Sequence, residues 1–103
     1  MQIEVERQQD QLVRLLLAGS INEQGAEVLK SHLDTITPDN ARTVQLDCNQ
    51  VDHFGSSGIG KLLVFYKRFT GGGGEMSVIN LPAPIHDMFL ELKLDTLFPV
   101  TKI

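Results

Sequence analysis

The side chains best able to do chemistry gather in one decapeptide of this 103-residue chain, Val51-Asp52-His53-Phe54-Gly55-Ser56-Ser57-Gly58-Ile59-Gly60. A hydroxyl near an imidazole and a carboxylate could serve nucleophilic catalysis, and glycines around a serine could cradle a phosphate. The spacing argues against both. Gly55-x-x-Gly58-x-Gly60 does not match the dinucleotide fingerprint, and no Gly-Lys-Ser or Gly-Lys-Thr closes a phosphate loop. Ser56 lacks the nucleophile-elbow spacing, and so short a chain would struggle to enclose a positioned His and acid around it. With no base that can be placed beside Ser56, no enzymatic activity and no cofactor are expected. Two readings remain. Ser56 or Ser57 caps a helix while the glycines permit a tight turn, or the unpaired N–H groups of a helix N-terminus favour an anion there.

The other reactive groups have structural explanations. His32, His53 and His86 fall on separate elements without ligand-like spacing, so no metal site is expected. Cys48 lies on the apolar parity of its strand and reads as a small core residue. Asp47 could pair with Asp52, but strand ends commonly carry such residues as loop caps. Lys61, Lys67 and Arg68 read as the solvated face of a helix. Gly71 to Gly74 reads as a flexible turn, because no lysine or hydroxyl residue completes a phosphate site.

Apolar periodicity predicts the elements that must hold the decapeptide. Ile3 to Ala18 reads as two antiparallel strands around a polar turn at Arg7 to Gln11, with Val13, Leu15 and Leu17 on one side. Val28, Leu29, Leu33 and Ile36 share a helical face, with Asn22 as N-cap and Pro38 as the limit. Thr43 to Cys48 alternates as a third strand, and Asn49 to Gly58 reads as a loop into a second helix carrying Ile59, Leu62, Leu63, Tyr66 and Phe69. A fourth strand, Glu75 to Leu81, precedes a helix opened by Pro82 and Pro84 with Ile85, Met88, Phe89 and Leu92 on its apolar face. Leu97 to Thr101 reads as a last short strand. Helical crossovers make the later strands parallel. The expected fold is a single α/β domain over residues 1–103, a small mixed sheet with an antiparallel N-terminal strand pair and helices covering it. Leu15, Leu17, Val28, Leu33, Val44, Leu46, Ile59, Leu62, Leu63, Val78, Ile79, Met88 and Phe89 should form its core.

Composition narrows the function by exclusion. Thirteen acidic against nine basic residues give a net charge of -4, which argues against nucleic acid as a partner. One Tyr, five Phe and no Trp supply no base-stacking platform. No apolar run approaches the roughly 20 residues needed to span a bilayer, so no direct membrane insertion is expected. A single cysteine, and an N-terminus MQIEVERQQD without the basic start and apolar run of a signal peptide, fit a reducing cytoplasm.

Read together, several segments resemble the STAS domain of bacterial anti-sigma factor antagonists: Leu46-Asp47, Phe54, Gly55-Ser56-Ser57-Gly58-Ile59-Gly60, Leu62-Leu63, Tyr66-Lys67-Arg68, Gly71 to Gly74, and Met88-Phe89 through Leu94-Asp95. The resemblance covers almost the whole chain. It implies a STAS-like fold and a binding module that engages an anti-sigma factor with kinase activity, releasing a sigma factor for transcription, with a serine phosphatase as a further partner. It aligns Ser56 with the family's phosphorylated serine and makes Phe54, Gly55, Ser56, Ser57, Gly58 and Ile59 the partner-binding loop. In one respect the chain departs from the pattern: phosphorylated members carry Asp before the modified serine, and here that position is Gly55. The departure keeps a second role open, that of an unphosphorylated adaptor or scaffold subunit in a transport or signalling complex.

Overall fold

Val13, Leu15 and Leu17 recur at every second position, and a strand with that pattern must bury one face. In a computed structural model describing residues 1–103, they lie on β2 (Leu12–Ile21), paired antiparallel with β1 (Gln2–Gln8). The link is a 3₁₀ turn, Gln9–Gln11, in which Asp10 and Gln11 both take positive φ. From β2 the chain alternates helix and strand: α1 (Glu23–Leu33), β3 (Thr43–Phe54), α2 (Ser56–Gly71), β4 (Glu75–Leu81), α3 (Ala83–Glu91) and β5 (Val100–Lys102). The sheet order is β1-β2-β3-β4-β5, with every pairing after the first parallel.

Because each crossover advances by one strand in the same direction, right-handed connections place all three helices on one face. Side chains facing the helices are buried: Val13, Leu15 and Leu17 of β2, Val44, Leu46 and Cys48 of β3, and Met76 and Val78 of β4. Residues of opposite parity, among them Leu12, Arg14, Leu16, Gln45 and Ser77, are only partly covered. Across that open face the Arg14 Nε and Nη2 donate to Gln45 Oε1 at 3.2 and 3.1 Å.

The mixed sheet with its antiparallel N-terminal pair is as expected, and several boundaries and burials differ. β3 runs on to Phe54, so the predicted loop Asn49 to Gly58 shrinks to Gly55 between strand and helix. α1 stops at Leu33, and Ile36 is buried from the turn beyond it. The buried face of α1 is Gly25, Ala26, Leu29 and Leu33; Val28, one step around the helix from Leu29, is exposed. Leu63, Ile79 and Met88 are only partly buried. Asn80, with φ of 58°, re-phases β4, so Leu81 returns to the helix side while Ile79 faces the open one. Leu92 caps α3 and is exposed, and β5 begins only at Val100 because Leu94–Thr96 forms a 3₁₀ turn.

Arg68 is not simply part of a solvated face. Its Nη1 and Nη2 donate to the carbonyls of Ile36 and Leu33 at 2.9 and 3.0 Å, and its guanidinium lies 5.1 Å from the Phe65 ring centroid. One fork thus ties the last carbonyl of α1, which also accepts from the Ile36 N–H, and the carbonyl of the turn beyond it to α2. Arg68→Ala is expected to lower stability by about 1–2 kcal/mol, with Arg68→Lys recovering under half because an ammonium cannot hold both carbonyls in one plane. Urea denaturation of the three proteins measures this.

Cys48 has no exposed surface, and burial, with a smaller push from the Asp47 charge, raises its thiol to about 12. At pH 8 roughly one molecule in ten thousand then carries a thiolate, the reactive form. A chromogenic disulfide reagent is expected to leave the folded protein untouched and to label Cys48 stoichiometrically once urea unfolds it.

Candidate functional site

The site is built where β2 and β3 end together. Leu16 pairs with Asp47 and Ala18 with Gln50, then Gly19 pairs with Val51 and Ser20 with His53, so β3 inserts one extra residue at each of two steps. These are β-bulges. They turn Gln50 and Asp52 outward, so Asn49, Gln50, Asp52 and His53 are all exposed while Val51 and Phe54 point into the core. Beside the second bulge, Ser20 Oγ donates to Asp52 Oδ1 at 2.6 Å. Asp47 Oδ1 accepts from the Asn49 N–H at 3.1 Å, the loop-cap role, and is not paired with Asp52. The last rung of the ladder is Gly55 N–H to the Ile21 carbonyl, 2.9 Å.

α2 starts one residue later. Gly55 is its N-cap and no side chain caps it, so neither Ser56 nor Ser57 is the capping residue. They occupy the first two helical positions, and neither hydroxyl makes a capping bond to the free N–H groups of the first turn. Ser56 is exposed and Ser57 half-buried. α1, by contrast, is capped as its sequence predicts, Asn22 Oδ1 accepting from the Gly25 N–H at 2.9 Å.

Two glycines shape this entry for different reasons. At Gly58 a Cβ would stand 2.4 Å from Ile21 Cγ2 and 3.2 Å from the Phe54 ring, so the first turn of α2 sits directly on the end of β2. Phe54 in turn packs edge-on against Phe89, centroids 5.1 Å apart at 80°. Gly55 has an ordinary extended backbone, φ -85° and ψ 173°, that any residue can adopt. What limits it is space: a Cβ would lie 3.2 Å from His53 Nε2 and 3.3 Å from the Ile21 carbonyl. The His53 imidazole therefore lies across the position just before Ser56.

Of the six loop residues singled out from the sequence, Ser56 is exposed and Gly55 and Ser57 are partly so. Phe54 is 2% exposed, Ile59 9%, and Gly58 is buried, so these three hold the surface from beneath. The site also includes residues that local sequence did not point to. A shallow groove of about 610 Å³ between α1 and α2 reaches Ser57 and is lined by Glu23, Glu27, Lys61 and Val64. Lys61 Nζ lies 3.4 Å from Glu27 Oε1, and Val64 is 68% exposed. Periodicity flags such residues as helix surface, and only helix–helix packing brings them beside Ser57. The three histidines stand apart on α1, β3 and α3, and no three His, Cys, Asp or Glu side chains converge.

Fold and sequence together define the class. Residues 4–100 match the STAS-domain family model described as "Mlab, STAS domain", and the chain belongs to the STAS domain family. An anti-sigma F factor antagonist of Paenibacillus polymyxa is 27% identical over 104 residues, covering 100% of this chain and 86% of that protein. Two solved structures share the fold. An anti-sigma factor antagonist from Mycobacterium paratuberculosis superposes with a TM-score of 0.85 at 20% identity, covering 99% of this chain and 86% of that one. The Bacillus cell fate determinant SpoIIAA in its phosphorylated form superposes with 0.77 at 16% identity, covering 96% and 90%.

The two small residues at the start of α2 should respond oppositely to a methyl group. Gly58→Ala gains about 1 kcal/mol of helix propensity but overpacks against Ile21, an effect of about 1–3 kcal/mol, so it is expected to destabilise. Ser56→Ala is expected to change stability by less than about 0.5 kcal/mol, because no capping bond is lost. Thermal and chemical denaturation of both variants measures the contrast.

Proposed function

We propose that this protein is a non-enzymatic binding module that acts as an anti-sigma factor antagonist, and that Ser56 is the point at which it is switched. The observation that carries the proposal is the state of Ser56, exposed at the first position of α2 with its hydroxyl not engaged in capping. A structural serine at a helix start would cap; this one is available to a modifying enzyme. The role is supported by similarity to the P. polymyxa antagonist, and modification by the fold shared with SpoIIAA, solved in a phosphorylated form.

In this reading the contact surface centres on Gly55, Ser56 and Ser57, held by Phe54, Gly58 and Ile59, and the partner is an anti-sigma factor with kinase activity. Phosphate on Ser56 adds about -1.5 to -2 charge at the centre of that contact, which opposes its desolvation. Asp52 is already exposed on β3, and in the neighbouring groove Glu23 and Glu27 outnumber Lys61, so the added charge meets a net acidic surround. The free N–H groups at the start of α2 accommodate it without a change of fold. A serine phosphatase would reverse the switch.

Gly55 and the imidazole lying across it favour one rival. Without the carboxylate that phosphorylated family members carry there, the same loop would serve as a permanent docking surface in a transport or signalling complex. Intact mass of the protein from its native host, with Ser56→Ala as control, is expected to show one phosphate that the variant lacks. The partner captured from that host is expected to bind wild type and Ser56→Ala equally and Ser56→Asp about tenfold more weakly, roughly 1.4 kcal/mol. Equal binding by all three proteins would leave the adaptor role.

A further inference from the structure

We propose that the cleft at the outer edge of β4 is a binding site for a small, neutral, planar molecule carrying a secondary amide, recognised by the backbone of Met76. Residues of an inner strand direct their N–H and C=O groups alternately to the two neighbouring strands. Glu75 N–H donates to the Arg42 carbonyl on the β3 side at 2.9 Å, and Val78 N–H donates to the Pro99 carbonyl on the β5 side at 3.0 Å. Met76, sharing the parity of Val78, faces the β5 side. There β5 fails to reach it.

The register sets Val78 opposite Val100, which puts residue 98 opposite Met76 and makes the N–H of residue 99 the donor its carbonyl requires. Residue 99 is proline and has no N–H. Nor does the Met76 N–H reach the Leu97 carbonyl, the acceptor that the same register would give it. Met76, a residue only 4% exposed overall, thus turns a donor and an acceptor side by side toward the cleft with neither paired to the β5 segment, and backbone groups in so buried a residue ordinarily have partners.

The chemistry around this rung selects the ligand. Met76 lines a cleft of about 540 Å³, walled by Tyr66 and Phe98, whose ring centroids are 5.6 Å apart, and by Ile79 and Leu97. That volume and mixture of aromatic wall and paired backbone groups suit a small molecule. No lysine, arginine or histidine lines it and Glu75 does, so an anion is disfavoured. A single free rung is too short for strand addition by a peptide, which needs a row of backbone bonds. One amide presenting C=O and N–H on the same edge satisfies both Met76 groups at once.

The test uses the full-length, ¹⁵N-labelled protein and two probes, quinolin-2-one and its 1-methyl derivative, which lacks the N–H. Quinolin-2-one is expected to shift the amides of Met76, Ser77, Leu97 and Val100 saturably, leaving Ser56 to Ile59 unmoved. The methylated probe should bind about tenfold more weakly, the fold-change for one lost hydrogen bond of roughly 1.4 kcal/mol. Leu97, 44% exposed, tolerates substitution, and Leu97→Lys is expected to weaken the parent probe by a similar factor. Absence of saturable shifts, shifts centred elsewhere, equal binding of the two probes, or indifference to Leu97→Lys would each overturn the proposal. None of these outcomes depends on the role of Ser56.

Discussion

Twelve residues of β3 run beside ten of β2, and where Ser56 emerges depends on how that surplus is absorbed. Two bulges take it up, one residue each. Between them they return Phe54 to the parity it would have had on a regular strand, so the strand still ends with an aromatic anchor in the core. Asp52, displaced outward, and the neighbouring His53 form the rim of the site. With the ladder closed by Gly55 N–H on Ile21, the helix has to begin immediately, and Ser56 falls on its first turn.

That constraint propagates downward into the core. α2 can start so abruptly only because Gly58 allows it to rest on Ile21 and Phe54, and Phe54 is itself seated against Phe89 of α3. From its other end, α2 clasps the terminus of α1 through Arg68. The helical layer is therefore tied at both ends, and the exposed serine stands at the end packed on Ile21 and Phe54. A group that must be read by a partner, or modified without loss of fold, is well placed on such a support.

One-sided coverage has a second consequence. With every crossover advancing in the same direction, the sheet keeps an open face and two edges, each defended differently. β1 places Glu4, Glu6 and Arg7 along one edge, the usual protection of charge against unwanted pairing. At the other, β5 is only three residues long and Pro99 ends its pairing. The cleft beside Met76 follows from that early stop.

Much of this was legible in the residues themselves. Alternation at Val13, Leu15 and Leu17 and again at Val44, Leu46 and Cys48 marked interior strand faces, the Asn22 cap opened α1, and consecutive helix–strand units required parallel pairing. The serine of interest and its helix could be located from the same local patterns, because capping chemistry and periodicity are properties of neighbouring residues. What local patterns could not reveal were features set by contacts between distant segments. Bulges break alternation, so Asn49 to Phe54 read as loop although the ladder with β2 keeps it a strand. Arg68 read as solvent-facing because the carbonyls it holds lie more than thirty residues away. Gly55 stood out as a missing carboxylate, whereas packing shows a position with little room beside His53 and the Ile21 carbonyl. Tertiary structure decided these points because register and close approach depend on which chain segment lies alongside, and no local window of sequence contains that neighbour.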